Sequence, residues 1–132
     1  MTTGVDIIGA LMLADADVIA FAAAGQIKAG RLPDNATLPA LLARVVSTVE
    51  KQPLKRGGVV RTIDRVSVTV RAASYEDQRT GMRLVRKCCA GRTGDIGGGV
   101  RVAILTAGTG PELDGPGNSY ERTQDFRVSY DA

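Results

Sequence analysis

From Ile63 to Gly91 the chain passes without interruption from residues that alternate every second position to residues that recur at helical spacing, with a cap between them. In Arg65-Val-Ser-Val-Thr-Val-Arg71 the valines at 66, 68 and 70 share one face while Ser67, Thr69 and Arg71 share the other. That is the pattern of a strand with water on one side only. Ser74-Tyr-Glu-Asp77 then reads as a helix start: the serine hydroxyl can accept from an orphan amide of the first turn, Asp77 can reach back, and Glu76 complements the positive helix end. Tyr75, Met82, Val85 and Cys89, widened by Leu84 and Cys88, form the expected apolar stripe, and Arg79, Arg83, Arg86 and Lys87 form the wet side. Gly91 suits the left-handed residue that closes a helix. Gly81 costs about 1 kcal/mol against alanine inside a helix, so its presence implies close packing on the sheet. No catalytic group sits in this unit.

The remaining periodicities extend the same architecture. Val5, Ile8, Met12 and Ile19, with Ile7, Leu11 and Val18 beside them, predict a broad helical face directed at the core. Asp15 and Asp17 interrupt it, so one kinked helix or two fit equally, the second capped by either aspartate and ending at Gly25. Gln26–Gly30 is a short strand candidate, and Leu32–Pro39 is a loop because its prolines and Asp-Asn disfavour regular structure. From Ala40 to Glu50, Leu41, Ala43, Val45 and Val49 fall on one face of a long strand, against Arg44, Thr48 and Glu50. Turn-forming residues at 51–58 join it to Val59–Arg71 as an antiparallel hairpin. Val100, Val102 and Ile104 alternate with Arg101 and Ala103, Gly108–Asn118 is a long loop, and Phe126, Val128 and Tyr130 alternate with Asp125, Arg127 and Ser129. The order α, β, β, β, α, β, β carries no internal repeat. It predicts an α+β fold: a single mixed, mostly antiparallel sheet of about four to five strands with two to three helices on one face.

Composition narrows the functions open to such a fold. With 132 residues, 44% of them hydrophobic, residues 1–132 make one domain with room for a real core. The chain has 0 histidines, which removes the commonest general base, the standard zinc sites and every Ser-His or Cys-His pair. Cys88 and Cys89 are adjacent on a helix, diverge, and read as small buried thiols in a reducing compartment. No apolar run approaches the roughly 20 residues of a membrane span, and Met1-Thr-Thr-Gly4 lacks the basic start of a signal peptide, so a soluble protein made in the cytoplasm is expected. A net charge of +3 permits nucleic-acid binding without requiring it. With 0 tryptophans, 2 phenylalanines and 3 tyrosines, platforms for stacking single strands are scarce.

Asp15-Ala-Asp17 offers too few oxygens for a hard cation, and on a helix its two carboxylates diverge, so capping is the expected role. Gly94-Asp-Ile-Gly-Gly-Gly99 precedes a strand and lacks the lysine-serine ending of a phosphate loop. Gly108-Thr-Gly110 fails in the same way, and both clusters read as mobile loops. Lys51, Lys55, Arg56 and Arg61 flank the hairpin tip, where they either touch phosphates or an acidic protein surface, or simply keep the tip solvated. The 110–118 loop is longer than a compact hairpin needs, which makes Glu112, Leu113, Asp114 and Asn118, with neighbouring Tyr120, candidates for an interface.

Several words of the sequence, in order, resemble the tail-completion, or tail-terminator, family of long-tailed bacteriophages and gene transfer particles. Gly30-Arg-Leu-Pro33 with Ala36-Thr-Leu-Pro-Ala-Leu41 is similar to its early strand and loop. Arg65-Val-Ser-Val-Thr-Val70 with Ser74-Tyr-Glu-Asp77 is similar to its central unit, and Leu113-Asp-Gly-Pro116 with Tyr120–Tyr130 to its closing loop and strand. The resemblance implies a non-enzymatic virion protein with no cofactor, assembled at the head–tail junction as a homo-oligomeric ring, commonly a hexamer. Its implied partners are further copies of itself, the tail tube protein and the head connector or stopper protein, with DNA crossing the lumen without sequence-specific binding. The competing expectations are a neck or stopper protein of the connector, a small basic nucleic-acid-binding module, and an enzyme of an unfamiliar kind.

Overall fold

Seven strands share one sheet, more than the four or five that alternation alone reveals. The computed structural model describes residues 2–131; Met1 and Ala132, the ends of the expected domain, lie outside the described residues. In chain order the elements are α1 (Gly4–Ala14), α2 (Ala16–Phe21), β1 (Ile27–Ala29), β2 (Ala40–Lys51), β3 (Arg61–Ala72), α3 (Tyr75–Cys89), β4 (Thr93–Ile96), β5 (Gly99–Thr109), β6 (Leu113–Gly115) and β7 (Ser119–Asp131). The sheet runs β1-β2-β3-β7-β5-β4, with β6 pairing β7. Only the β1–β2 pair is parallel, so the sheet is mixed and mostly antiparallel, as expected.

The two strands missing from the sequence reading lie where glycines pointed to loops. Thr93–Ile96 and Gly99 onward form a tight hairpin turning at Gly97-Gly98, both at positive φ. This turn is not free, because a Cβ at Gly97 would meet the Ile7 backbone at 3.0 Å and the Ala10 side chain at 3.1 Å. It is wedged under α1. Likewise β6 folds the 110–118 segment back onto β7, in register Leu113 with Glu121 and Gly115 with Ser119.

One hydrophobic cluster fills the space between the sheet and the helices. Val66, Val68 and Val70 of β3 and Phe126 and Val128 of β7 are fully buried, with Leu41, Ile104, Ile7, Ile8 and Met12 packed around them. Gly81 lets α3 sit directly on this layer: an added Cβ there would come within 2.6 Å of Val70 Cγ1 and 2.8 Å of the Phe21 ring. Asp15 separates α1 from α2 as a cap, its Oδ1 accepting from the Asp17 and Val18 amides at 2.9 and 3.1 Å. The amphipathic segment is therefore two helices, the second ending at Phe21 and not at Gly25. Ser74 caps α3 by accepting from the Asp77 amide. The polar groups buried on this side include Asp64 and Gln78. Asp64 accepts from the Gly4 amide at the start of α1, from Thr48 and from the Tyr130 hydroxyl, tying helix to sheet. Gln78 of α3 is 1% exposed, and neither end of its amide has a hydrogen-bond partner among the described residues.

The opposite face of β3 and β7 is a cross-strand polar ladder. Arg65 and Ser67 both bond Asp125, Thr69 meets Thr123, and Arg71 donates to Glu121 at 2.8 Å and to the Pro33 carbonyl at 2.8 Å. Such opposed pairs stabilise a sheet face open to water.

Irregularities in two strands overturn the expected burial of two valines. Val49, placed on the core face with Leu41, is 57% exposed, because a bulge between Val45 and Ser47 flips the rest of β2 to the other face. Val100 is exposed for the same reason: Arg101 adopts a positive φ, and the register of β5 shifts between Val100 and Ala103.

Candidate assembly site

The hairpin tip and the 110–120 segment, distant in sequence, reach the surface in different ways. At the tip, Lys51 of β2 pairs with Arg61 of β3, closing the ladder, and Gly57 and Gly58 turn the chain with positive φ. Lys55 and Arg56 are exposed, as is the full side chain of Leu54 between them and the strand. Arg61 does not belong with them. Its Nη1 donates to the Arg101 carbonyl at 2.7 Å and to Asp131 Oδ1 at 3.1 Å, while Arg101 pairs with the other oxygen of Asp131. A residue read as a tip cation is thus a clamp joining β3, β7 and β5.

The 110–120 segment is a folded flap, not a spare loop. The Gly110 amide donates to the Thr123 carbonyl, and Arg122 Nε donates back to the Gly110 carbonyl at 2.9 Å. Ser119 Oγ bonds the Pro116 carbonyl across a single 3-10 turn at Pro116–Asn118. Glu112 accepts from the Tyr75 hydroxyl at 2.9 Å, and the Tyr75 and Tyr120 rings meet edge-on with centroids 6.3 Å apart. Tyr75 is therefore no core residue; it is 42% exposed, and its hydrogen bond to Glu112 raises the phenol's pKa above the usual value. Of the five candidate positions here, Glu112 and Tyr120 fasten the flap to α3. Leu113, Asp114 and Asn118 remain free to meet another molecule.

Sequence reasoning missed the sheet edges that lack a neighbour among the described residues. β1 covers β2 only along Leu41–Ala43, so Arg44–Lys51 has no neighbour on its outer side among the described residues. β4 reaches β5 only as far as Ala103, leaving Leu105–Thr109 open on the other side. The two open edges share rungs of the ladder. Val45, Val66, Phe126 and Thr106 form one rung, and Ser47, Arg65, Arg127 and Leu105 the next. At this level Val46 is 58% exposed on one edge and Leu105 is 60% exposed on the other. The adjacent valines 45 and 46, which break strict alternation, were the available signal of the bulge.

Among the described residues no group of three or more His, Cys, Asp or Glu side chains could hold a metal ion. Cys88 and Cys89 are buried free thiols, and burial together with the neighbouring sulfur pushes the Cys89 thiol well up. No helix is long and apolar enough to cross a membrane among the described residues.

What the fold defines is a small α+β domain whose sheet has two open edges. This fold is similar to that of a chain in the virion of a native gene transfer agent particle, with a TM-score of 0.69 and 11% identity, over 99% of this chain and 100% of that one. No protein-family model matches the sequence, and no curated protein does.

Proposed function

We propose that this chain is a non-enzymatic structural subunit of a phage-like particle, acting as a tail terminator or head-to-tail joining protein that assembles as a ring. The observation that carries the reading is the end-to-end likeness to a gene transfer agent virion chain, with neither fold left over at either end. The open edges support the ring. β2, β3, β7 and β5 alternate in direction, so the β5 edge of one copy set beside the β2 edge of the next continues the antiparallel order. Such a contact joins two different patches of identical chains, the heterologous arrangement that closes into a ring.

In this reading the ring, commonly a hexamer, caps the tail tube protein on one side and receives the head connector or stopper protein on the other. Leu113, Asp114 and Asn118 of the flap and Lys51, Lys55 and Arg56 of the tip are the contacts to those partners, and DNA crosses the lumen. The test is negative-stain imaging of the purified protein with tail tubes, alongside light scattering of the protein alone. Rings seated on tube ends are expected. A strict monomer at high concentration that leaves tube ends bare overturns the reading, and rings found only on the connector favour a neck or stopper protein.

A further inference from the structure

We propose that the outer face of α3, together with Arg122 of β7, is a binding groove for the phosphate backbone of double-stranded DNA. Arg79, Arg83, Arg86 and Lys87 recur at spacings of four, three and one along the helix and are all exposed. With Arg122 and Thr109 opposite, they line a groove of about 450 Å³. From Arg79 to Lys87 the helix rises about 12 Å, which spans three to four base-pair rises of about 3.4 Å along the duplex axis.

The pairing pattern sets these cations apart. On the sheet face Arg61, Arg65, Arg71 and Arg101 each have a carboxylate partner within 3.1 Å. Among the described residues, only Arg122 of the groove has one, at 3.6 Å from Glu112. Glu76 shares a neighbouring hollow with Arg79 and Arg83 yet makes an ion pair with neither. Arg86 and Lys87 complement the negative end of the helix dipole, but Arg79 and Arg83 lie too far from it to gain by that. Like charges gathered without partners are relieved by a dense polyanion.

Two features favour duplex DNA over other polyanions. An acidic protein segment binds firmly through apolar anchors seated in pockets, and the one large apolar side chain here, Met82, is 6% exposed beneath the cations. A single strand needs open aromatic faces, and the nearby Tyr75 ring already carries Arg79 at 5.8 Å from its centroid. Sequence-independent phosphate contacts remain.

The inference stands apart from the particle reading, since a monomer can bind DNA and a ring can fail to. It is tested by fluorescence anisotropy with a mixed-sequence DNA duplex over a range of salt. Binding should weaken with a log–log salt slope near −4, by about 0.9 per phosphate neutralised. Replacing Arg79, Arg83, Arg86 and Lys87 together by glutamine should cut affinity at low salt at least tenfold and flatten the slope, with the melting midpoint measured in parallel. Should that variant not fold, Arg83→Glu alone should still lower affinity several-fold. Lys55→Ser with Arg56→Ser should leave binding unchanged. Absence of duplex binding by the intact protein at low salt, full binding by the α3 variant, or tighter binding of polyglutamate than of duplex would each overturn the proposal.

Discussion

β7 and the outer half of β2 carry the same kind of sequence and occupy opposite situations. Both mix β-branched or aromatic residues with polar ones, in strict alternation over Phe126–Tyr130 and with a break at Val45-Val46 in β2. In β7 the alternate residues Gln124, Phe126, Val128 and Tyr130 are all buried, because the last strand of the chain inserts between β3 and β5 at the centre of the sheet. In β2 every residue from Arg44 to Lys51 is exposed, valines included, because one strand of three residues covers it and then stops. Alternation reports that a segment is a strand; its burial depends on which neighbours arrive, and those are fixed by pairing across long stretches of chain. The two strands therefore differ in situation, one holding the sheet together at its centre and the other leaving an unpaired edge among the described residues.

The largest effect expected from this contrast is at β7. Truncation after Glu121 removes Phe126, Val128 and Tyr130, each contributing roughly 1.5–3 kcal/mol by burial, a large part of a total stability of about 5–15 kcal/mol. It also separates β3 from β5 and turns both into unpaired edges. The truncated chain should be insoluble or unfolded by circular dichroism. The milder Phe126→Ala should cost about 3–5 kcal/mol in denaturant unfolding. A soluble truncated protein that melts cooperatively would abolish the distinction between the strands.

How far these roles could be read in the sequence depends on the range of the interaction that fixes them. The β3–α3 unit was legible because its signals are local: Val66, Val68 and Val70 alternate, Ser74 caps, and Gly81 marks a close approach that the Val70 and Phe21 contacts explain. The strand character of Phe126–Tyr130 was legible too, but not its central place. β4 and β6 are only four and three residues long and rich in glycine and acidic residues, so no periodicity announces them; partners set them in register. Tyr75 belongs to the expected core stripe and lies outside it, whereas Gln78, assigned to neither face, is buried. Tertiary packing sets which way the first turn of α3 faces, with the tyrosine on the flap and the glutamine inward. Of the nine candidate interface residues, Arg61, Glu112 and Tyr120 already have partners within the fold: Asp131, 70 residues away, holds Arg61, and Tyr75 on another element meets the other two. Sequence spacing has no access to such partners.

Arg61 sharpens the comparison at the point where the two regions meet. Because it clamps the start of β3 to β7 and β5, Arg61→Ser should lower stability by about 1–2 kcal/mol, the range of a hydrogen bond to a charged group discounted for partial exposure. Lys55→Ser with Arg56→Ser, in the exposed tip, should change it by less than about 0.5 kcal/mol. Urea melts of the two variants at neutral pH check this, and equal effects would mean that the clamp is only a surface pair.

Alkaline pH probes the buried side alone. Burial and the hydrogen bond to Asp64 raise the Tyr130 pKa above its ordinary value of 10.0, so the folded chain keeps that proton after the unfolded chain has lost it. This contribution to stability is fully present below pH 10 and declines above it, by at most about 1.4 kcal/mol per pH unit. Tyr130→Phe should be less stable at neutral pH, leaving Asp64 without one of its donors, yet its stability should fall less steeply between pH 10 and 11. Parallel slopes for the two proteins would show that the phenol is not held neutral by the fold.

The smallest effect on the isolated subunit should come from the open edges, where the largest effect on assembly is expected. Val46→Lys and Leu105→Lys each place a charge on an exposed position of an unpaired edge, the device by which sheets discourage further strands from joining. Neither side chain leaves a packed site, so each should move stability by less than about 0.5 kcal/mol, well below the cost at Phe126. If the β2 edge of one copy receives the β5 edge of the next, either lysine alone should abolish rings on tail tubes, since every junction uses both edges. Light scattering and imaging at matched concentrations read this directly. Rings that persist with both lysines present would mean that the subunits meet through the flap or the tip. A fall in melting temperature of the size expected at Phe126 would mean that the outer half of β2 belongs to the core after all.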